Sequence, residues 1–165
     1  MSPKKETESA VIAKALRQAK AGSFEQALAL VESLDADQLG IADLRSLALV
    51  YSYCGKEDAA VEVWVKVCEC GEVSPGDYYM LGSTQMGLGK SDAAIGSLQQ
   101  GLEAGDSAGN AGYSGVTALS LAYLLIRRNR AADARLVIHR LTDDDSPYIK
   151  EIGLVTKRQL LELLR

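Results

Sequence analysis

The sequence predicts an all-α fold of stacked helical hairpins, and three observations carry that reading. Turn-forming residues recur at nearly constant spacing, small and bulky residues keep fixed offsets from them, and proline is rare, with three in 165 residues. Gly22, Gly55, Gly89 and Asn129 follow one another at spacings of 33, 34 and 40. Each is read as the residue that closes a helix in the left-handed conformation, which glycine and asparagine tolerate best.

The elements follow in order from those turns. Seven residues before each stands a small residue (Ala15, Ala48, Gly82, Ala122), and five after each an alanine (Ala27, Ala60, Ala94, Ala134). Nine after come Val31, Trp64, Leu98 and Ile138; eight before the last three come Leu47, Leu81 and Leu121. Small residues let the two helices of a hairpin approach closely, and bulky ones fill the space between successive hairpins. Glu25, Asp58, Asp92 and Asp133 fall in the first turn of each second helix, where the macrodipole favours a carboxylate. The spacing therefore predicts helices over 8–21 and 24–34, 41–54 and 57–70, 76–88 and 91–103, and 113–128 and 131–141. Between the third and fourth hairpins, Ala104–Gly112 carries three glycines and lengthens the third repeat by six residues, which reads as a mobile loop. A last helix is expected over 148–164, with Ile152, Val155, Leu160, Leu161 and Leu164 on one apolar face, capping the open end of the stack. The expected organisation is one domain, 1–165, with units 8–40, 41–74, 75–114 and 115–147 and a capping helix 148–165.

Composition narrows the function. With 18 Lys+Arg against 22 Asp+Glu the net charge is -4, so the chain lacks the basic excess that binding a polyphosphate needs. No nucleic acid partner is expected. Met1–Ser9 is polar and charged, without the apolar segment of a secretory signal. The longest mostly apolar stretch, Val116–Ile126, is about half of the ~20 residues a spanning helix requires, so no membrane insertion is expected. Cys54, Cys68 and Cys70 are an odd set and read as reduced thiols, which points to the cytoplasm.

Motifs that could carry chemistry are weak. Gly89-Lys90-Ser91 looks like the end of a phosphate-binding loop, but Thr84 stands where that loop needs its first glycine. Cys68 and Cys70 are two apart, so on a helix they point about 200° from each other and share no ion easily. His139 is the single histidine, with no serine or cysteine beside it in sequence to activate. Asp143-Asp144-Asp145 precedes Ser146-Pro147 and reads as a solvated loop or helix cap. No catalytic residue, cofactor or metal site is expected; the chain is read as a non-enzyme.

The runs Leu44-Leu47-Ala48-Tyr51-Gly55-Ala60-Trp64 and Tyr78-Leu81-Gly82-Gly89-Ala94-Leu98 resemble the tetratricopeptide repeat, over roughly Ser9–Leu141. The resemblance implies a concave groove lined by the first helix of each hairpin, which holds an extended or helical segment of another protein. Helical spacing then selects Arg45, Leu49, Ser52 and Tyr53 in the second unit and Tyr79, Ser83 and Met86 in the third. Leu119, Tyr123, Ile126 and Arg127 follow in the fourth. This lining is apolar and aromatic, with a basic residue at each end, and suits an apolar partner segment. The lysine-asparagine clamp by which some family members hold a chaperone's acidic tail is absent: those positions carry Ile12, Leu16, Leu49, Tyr79 and Ser83. An adaptor or assembly scaffold is the expected role. The alternative is a cytoplasmic chaperone of type III secretion translocators, which Asp77–Leu102, the length and the acidity resemble. Exposed apolar repeat ends would support a homodimer.

Overall fold

All four turn residues adopt the left-handed conformation, with φ of 83° at Gly22, 68° at Gly55, 71° at Gly89 and 58° at Asn129. The same pair of bonds closes the helix each time. The turn residue donates three positions back, to the carbonyls of Ala19, Ser52, Met86 and Ile126. The residue after it donates five back, to Gln18, Tyr51, Gln85 and Leu125, at 2.8–2.9 Å. This is the Schellman closure, and it satisfies carbonyls that a helix end would otherwise leave bare. Nothing lies within 4 Å of a Cβ added at Gly55, so Gly55→Ala tests the backbone alone. It is expected to cost about 1 kcal/mol in urea unfolding, because alanine pays to sit at positive φ.

The computed structural model describes residues 7–108, 113–142, 148–149 and 153–165, and the chain divides into two compact units, Met1–Val73 and Ser74–Arg165. Unit 1 holds α1 (Glu8–Lys20), α2 (Phe24–Val31), a 3-10 turn at Ala36–Gln38, α3 (Ile41–Tyr53) and α4 (Glu57–Glu69). Its core is the set the spacing selects: Ala15, Ala27, Val31, Leu47, Ala48, Ala60 and Trp64 are all buried, with Ile12, Leu44, Val50 and Val67 beside them. Ser9 Oγ donates to Asp43 at 2.6 Å, tying the starts of α1 and α3.

Unit 2 holds α5 (Pro75–Gly87), α6 (Ser91–Ala108), α7 (Ser114–Arg127), α8 (Ala131–Ile138), the short strands β1 (Tyr148–Ile149) and β2 (Gly153–Leu154), and α9 (Lys157–Glu162). Ala94, Leu98, Leu121, Ala122, Ala134 and Ile138 form its core, as their offsets from the turns predict. A capping box opens α5: the Asp77 carboxylate accepts from the Ser74 backbone N–H at 2.7 Å and from its hydroxyl at 2.8 Å.

Two elements differ most from expectation, while α2 and α8 each end three residues early, at Val31 and Ile138. Helix α6 does not stop at 103 but runs to Ala108, through the first half of the glycine-rich insert; residues 109–112 lie outside the described set. Buried glycines lie in this helix on both sides of residue 103. A Cβ on Gly101 would meet Tyr78 Cβ at 3.1 Å and the Pro75 carbonyl at 3.4 Å, so a bare Cα lets α6 lie close against α5. Gly105 is buried one turn on, and Asp106 pairs with the Arg140 guanidinium. The second correction is the C-terminal element. Its helix begins at Lys157, not 148, and is preceded by an antiparallel pairing of Tyr148 with Leu154 and Ile149 with Gly153. Gly153, at φ 80°, breaks the apolar periodicity, and Thr156 starts the helix afresh. Its hydroxyl accepts from the Gln159 N–H, while the Gln159 side chain accepts from the Thr156 N–H at 2.8 Å. Leu160 of this helix is fully buried in the core and Val155 before it nearly so, whereas Leu161 is exposed and Ile152 lies outside the described residues. Arg135 donates to the Leu164 carbonyl at 3.0 Å and Lys157 to the Leu141 carbonyl at 2.8 Å.

Candidate functional site

The first-helix residues selected by spacing separate into three groups once placed. Some are spent on the chain itself. Arg45 donates to the Glu72 carbonyl at 3.1 Å, Ser52 to the Ala48 carbonyl at 3.0 Å, and Ser83 to the Met80 carbonyl at 3.1 Å. Others face water at least in part. In unit 1, Tyr53 is 49% exposed and Leu49 half-buried; in unit 2, Tyr79, Met86 and Ile126 are half-buried against the core and Arg127 is exposed. The third group corrects the sequence reading: Leu119 has no accessible surface and Tyr123 only 9%, so Leu119 belongs to the core of unit 2 rather than to a wall. The helical wheel places both on one face of α7, but only packing tells a covered face from an open one.

Unit 2 adds residues that spacing did not select. The ring of Tyr113, at the start of α7, lies 5.7 Å from that of Tyr79, tilted by 39°, and covers Gly76 so closely that a Cβ there would stand 2.9 Å from it. Farther along, Tyr123, Ile126, Arg127 and Asn129 line one side of a depression of about 720 Å³. Val155, Gln159, Glu162 and Leu163 line the other, so the C-terminal helix is a wall of it as well as a cap. The Thr156-x-x-Gln159 box was the sequence signal that could have placed this wall. Unit 1 has a depression of its own, about 550 Å³, with Leu28, Ala29 and Ala59 between Glu25, Glu32, Tyr51 and Lys56. Burial, then the nearby Glu62 carboxylate, holds the Tyr51 hydroxyl above its ordinary pKa.

Gly89-Lys90-Ser91 is the turn between α5 and α6, with a helix where a phosphate loop would follow a strand. Burial raises the Cys54 thiol above its usual pKa, against a smaller lowering by Lys56, and so disfavours the nucleophilic thiolate. The Cys70 thiol donates to the Lys66 carbonyl at 3.2 Å. His139 is exposed at the end of α8. Among the described residues no three His, Cys, Asp or Glu side chains gather to hold a metal ion, and no helix is long and apolar enough to cross a membrane. Asp143, Asp144 and Asp145 lie outside the described residues.

No family model and no curated protein sequence matches the chain. Solved structures do. The MamA protein is similar with a TM-score of 0.66 at 19% identity, over 81% of this chain and 70% of that one. YrrB, described as a TPR protein with an unusual peptide-binding site, gives 0.65 at 18%, over 84% and 69%. A third structure, with nearly identical TPR-like repeats from Podosopora anserina, gives 0.64 at 18%, over 83% and 75%. At such identities the likeness is one of fold, and the fold is that of tetratricopeptide repeats.

Proposed function

We propose that this tetratricopeptide-repeat fold serves as a non-catalytic protein–protein interaction module, an adaptor or assembly scaffold that binds an apolar segment of its partner. The observation that carries the reading is apolar and aromatic surface left partly exposed on first helices within each unit: Tyr53 and half-buried Leu49 on α3 of unit 1, and half-buried Tyr79 and Met86 on α5 and Ile126 on α7 of unit 2. Tyrosine and methionine give large contact area and adapt to irregular partners, which is what a peptide-binding wall needs. YrrB, of like fold, is described by its peptide-binding site, which supports the same use here. Three free thiols suit a reducing compartment, so the proposed setting is the cytoplasm.

The test is co-purification with the full chain as bait, comparing the parent with a Tyr53→Ala, Tyr79→Ala double variant. Tyr53 is half-exposed, but Tyr79 packs at the edge of its core, so the variant's thermal melt is compared with the parent's before binding is read. Partner affinity is expected to fall about tenfold, near 1.4 kcal/mol. Unchanged affinity in the folded variant refutes the reading. Recovery of several subunits of one complex supports the scaffold; a single secreted, amphipathic client supports the chaperone instead.

A further inference from the structure

We propose that the depression between α7 and α9 takes an aliphatic side chain of an extended partner segment, and that Arg127 pairs with an aspartate or glutamate next to it. This rests on the reading of unit 2 as a peptide-binding surface and gives that surface a chemistry. Apolar area is available: Ile126 is half-buried and Leu163, on the rim, is 60% exposed. A volume of about 720 Å³ lies within the range of sites that bury a ligand group.

Charge decides the rest. The depression has two ionic side chains, Glu162 and Arg127. Glu162 accepts from Arg158 at 3.1 Å, whereas Arg127 makes no ion pair among the described residues and is exposed. The uncompensated charge is therefore positive, and a guanidinium offers a planar fork to a carboxylate. Two amides stand on opposite sides of it. Gln159 uses its oxygen on the Thr156 N–H, which leaves its NH2 to donate, and Asn129 brings a second amide at the turn. Such groups bond the backbone of an extended chain. The occupant is taken as an internal segment, because a backbone nest, one means of capturing a chain terminus, is closed at this turn. At this turn Asn129 N–H and Arg130 N–H are both taken, by the Ile126 and Leu125 carbonyls.

The probe is a library of short N-acetylated, C-amidated peptides with two fixed leucines and Asp, Lys, Ser or Gln at the flanking positions, selected on the full chain. The parent is expected to enrich Asp beside leucine. Arg127→Glu, at an exposed position, is expected to melt like the parent, lose about tenfold in affinity for the acidic peptides and enrich lysine instead. Leu163→Ser should weaken the same peptides, which assigns them to this depression. An acidic preference that survives Arg127→Glu overturns the inference, as does enrichment of leucine peptides without regard to charge; in both cases the peptide-binding reading stands. Binding that appears only when the C-terminus is left free also overturns it, in favour of terminal capture. No enrichment of any leucine peptide by the parent refutes the peptide-binding reading itself.

Discussion

Gly82→Val abolishes cooperative folding of unit 2, a loss of about 3 kcal/mol or more. Gly82 is buried in α5, and an added Cβ would stand 2.7 Å from Leu98 Cγ, 2.9 Å from its Cδ2 and 3.4 Å from the Ala94 carbonyl. Leu98 has no room to retreat: it is fully buried, as is Ala94 one turn before it on α6. The helices would have to part, and that would expose the core they share. Opposing this is the gain in helix propensity when glycine leaves a helix interior, about 1 kcal/mol. The clash wins for valine, which adds two methyls to a Cβ already too close to Leu98. For Gly82→Ala the terms partly offset, and a smaller net loss of about 1 kcal/mol is expected. Urea unfolding followed by circular dichroism checks both; a valine variant within about 0.5 kcal/mol of the parent would sink the close-packing argument.

Leu119→Ala separates the two roles that residue could have had. Sequence spacing puts it on the partner-facing side of α7, yet it is completely covered within the core of unit 2. Truncation removes its transfer energy and leaves a cavity, so a loss of about 2–5 kcal/mol is expected. A residue of an open wall would behave like Tyr53, whose removal alone should change stability by about 0.5 kcal/mol or less. Thermal and urea unfolding decide between these. A Leu119→Ala protein with parental stability and weakened partner binding would return the residue to the surface and contradict its burial.

The legible part of the fold was the part written in local chemistry. Gly22, Gly55, Gly89 and Asn129 announce four helix ends because few residues tolerate positive φ, and each stands there. Alanine and glycine at fixed offsets announce which helix pairs nest, because their contact distance depends on residue size alone. The candidate site was harder to read. Arg45 looked available for a partner but donates to the Glu72 carbonyl, a bond formed across 27 residues. Tyr113, first residue of the expected helix 113–128, was not among the selected positions, and its place over Gly76 arises only from the packing of α7 on α5.

Among the described residues the sequence by itself determined four helical hairpins, their turns, their pairing and most of their core, since helix period and left-handed turns are properties of a few neighbouring residues. Tertiary structure alone decided three things. It carried α6 to Ala108 through Gly105, a residue of low helix propensity that the fold buries. It buried Leu119 while leaving Arg127 open on the same helix. And it brought Gln159 and Leu163 opposite Ile126, making one depression from segments some thirty residues apart. The physical reason is common to all three: which side of a helix meets water depends on what packs against it, and that neighbour is set by the folded chain rather than by the local run of residues.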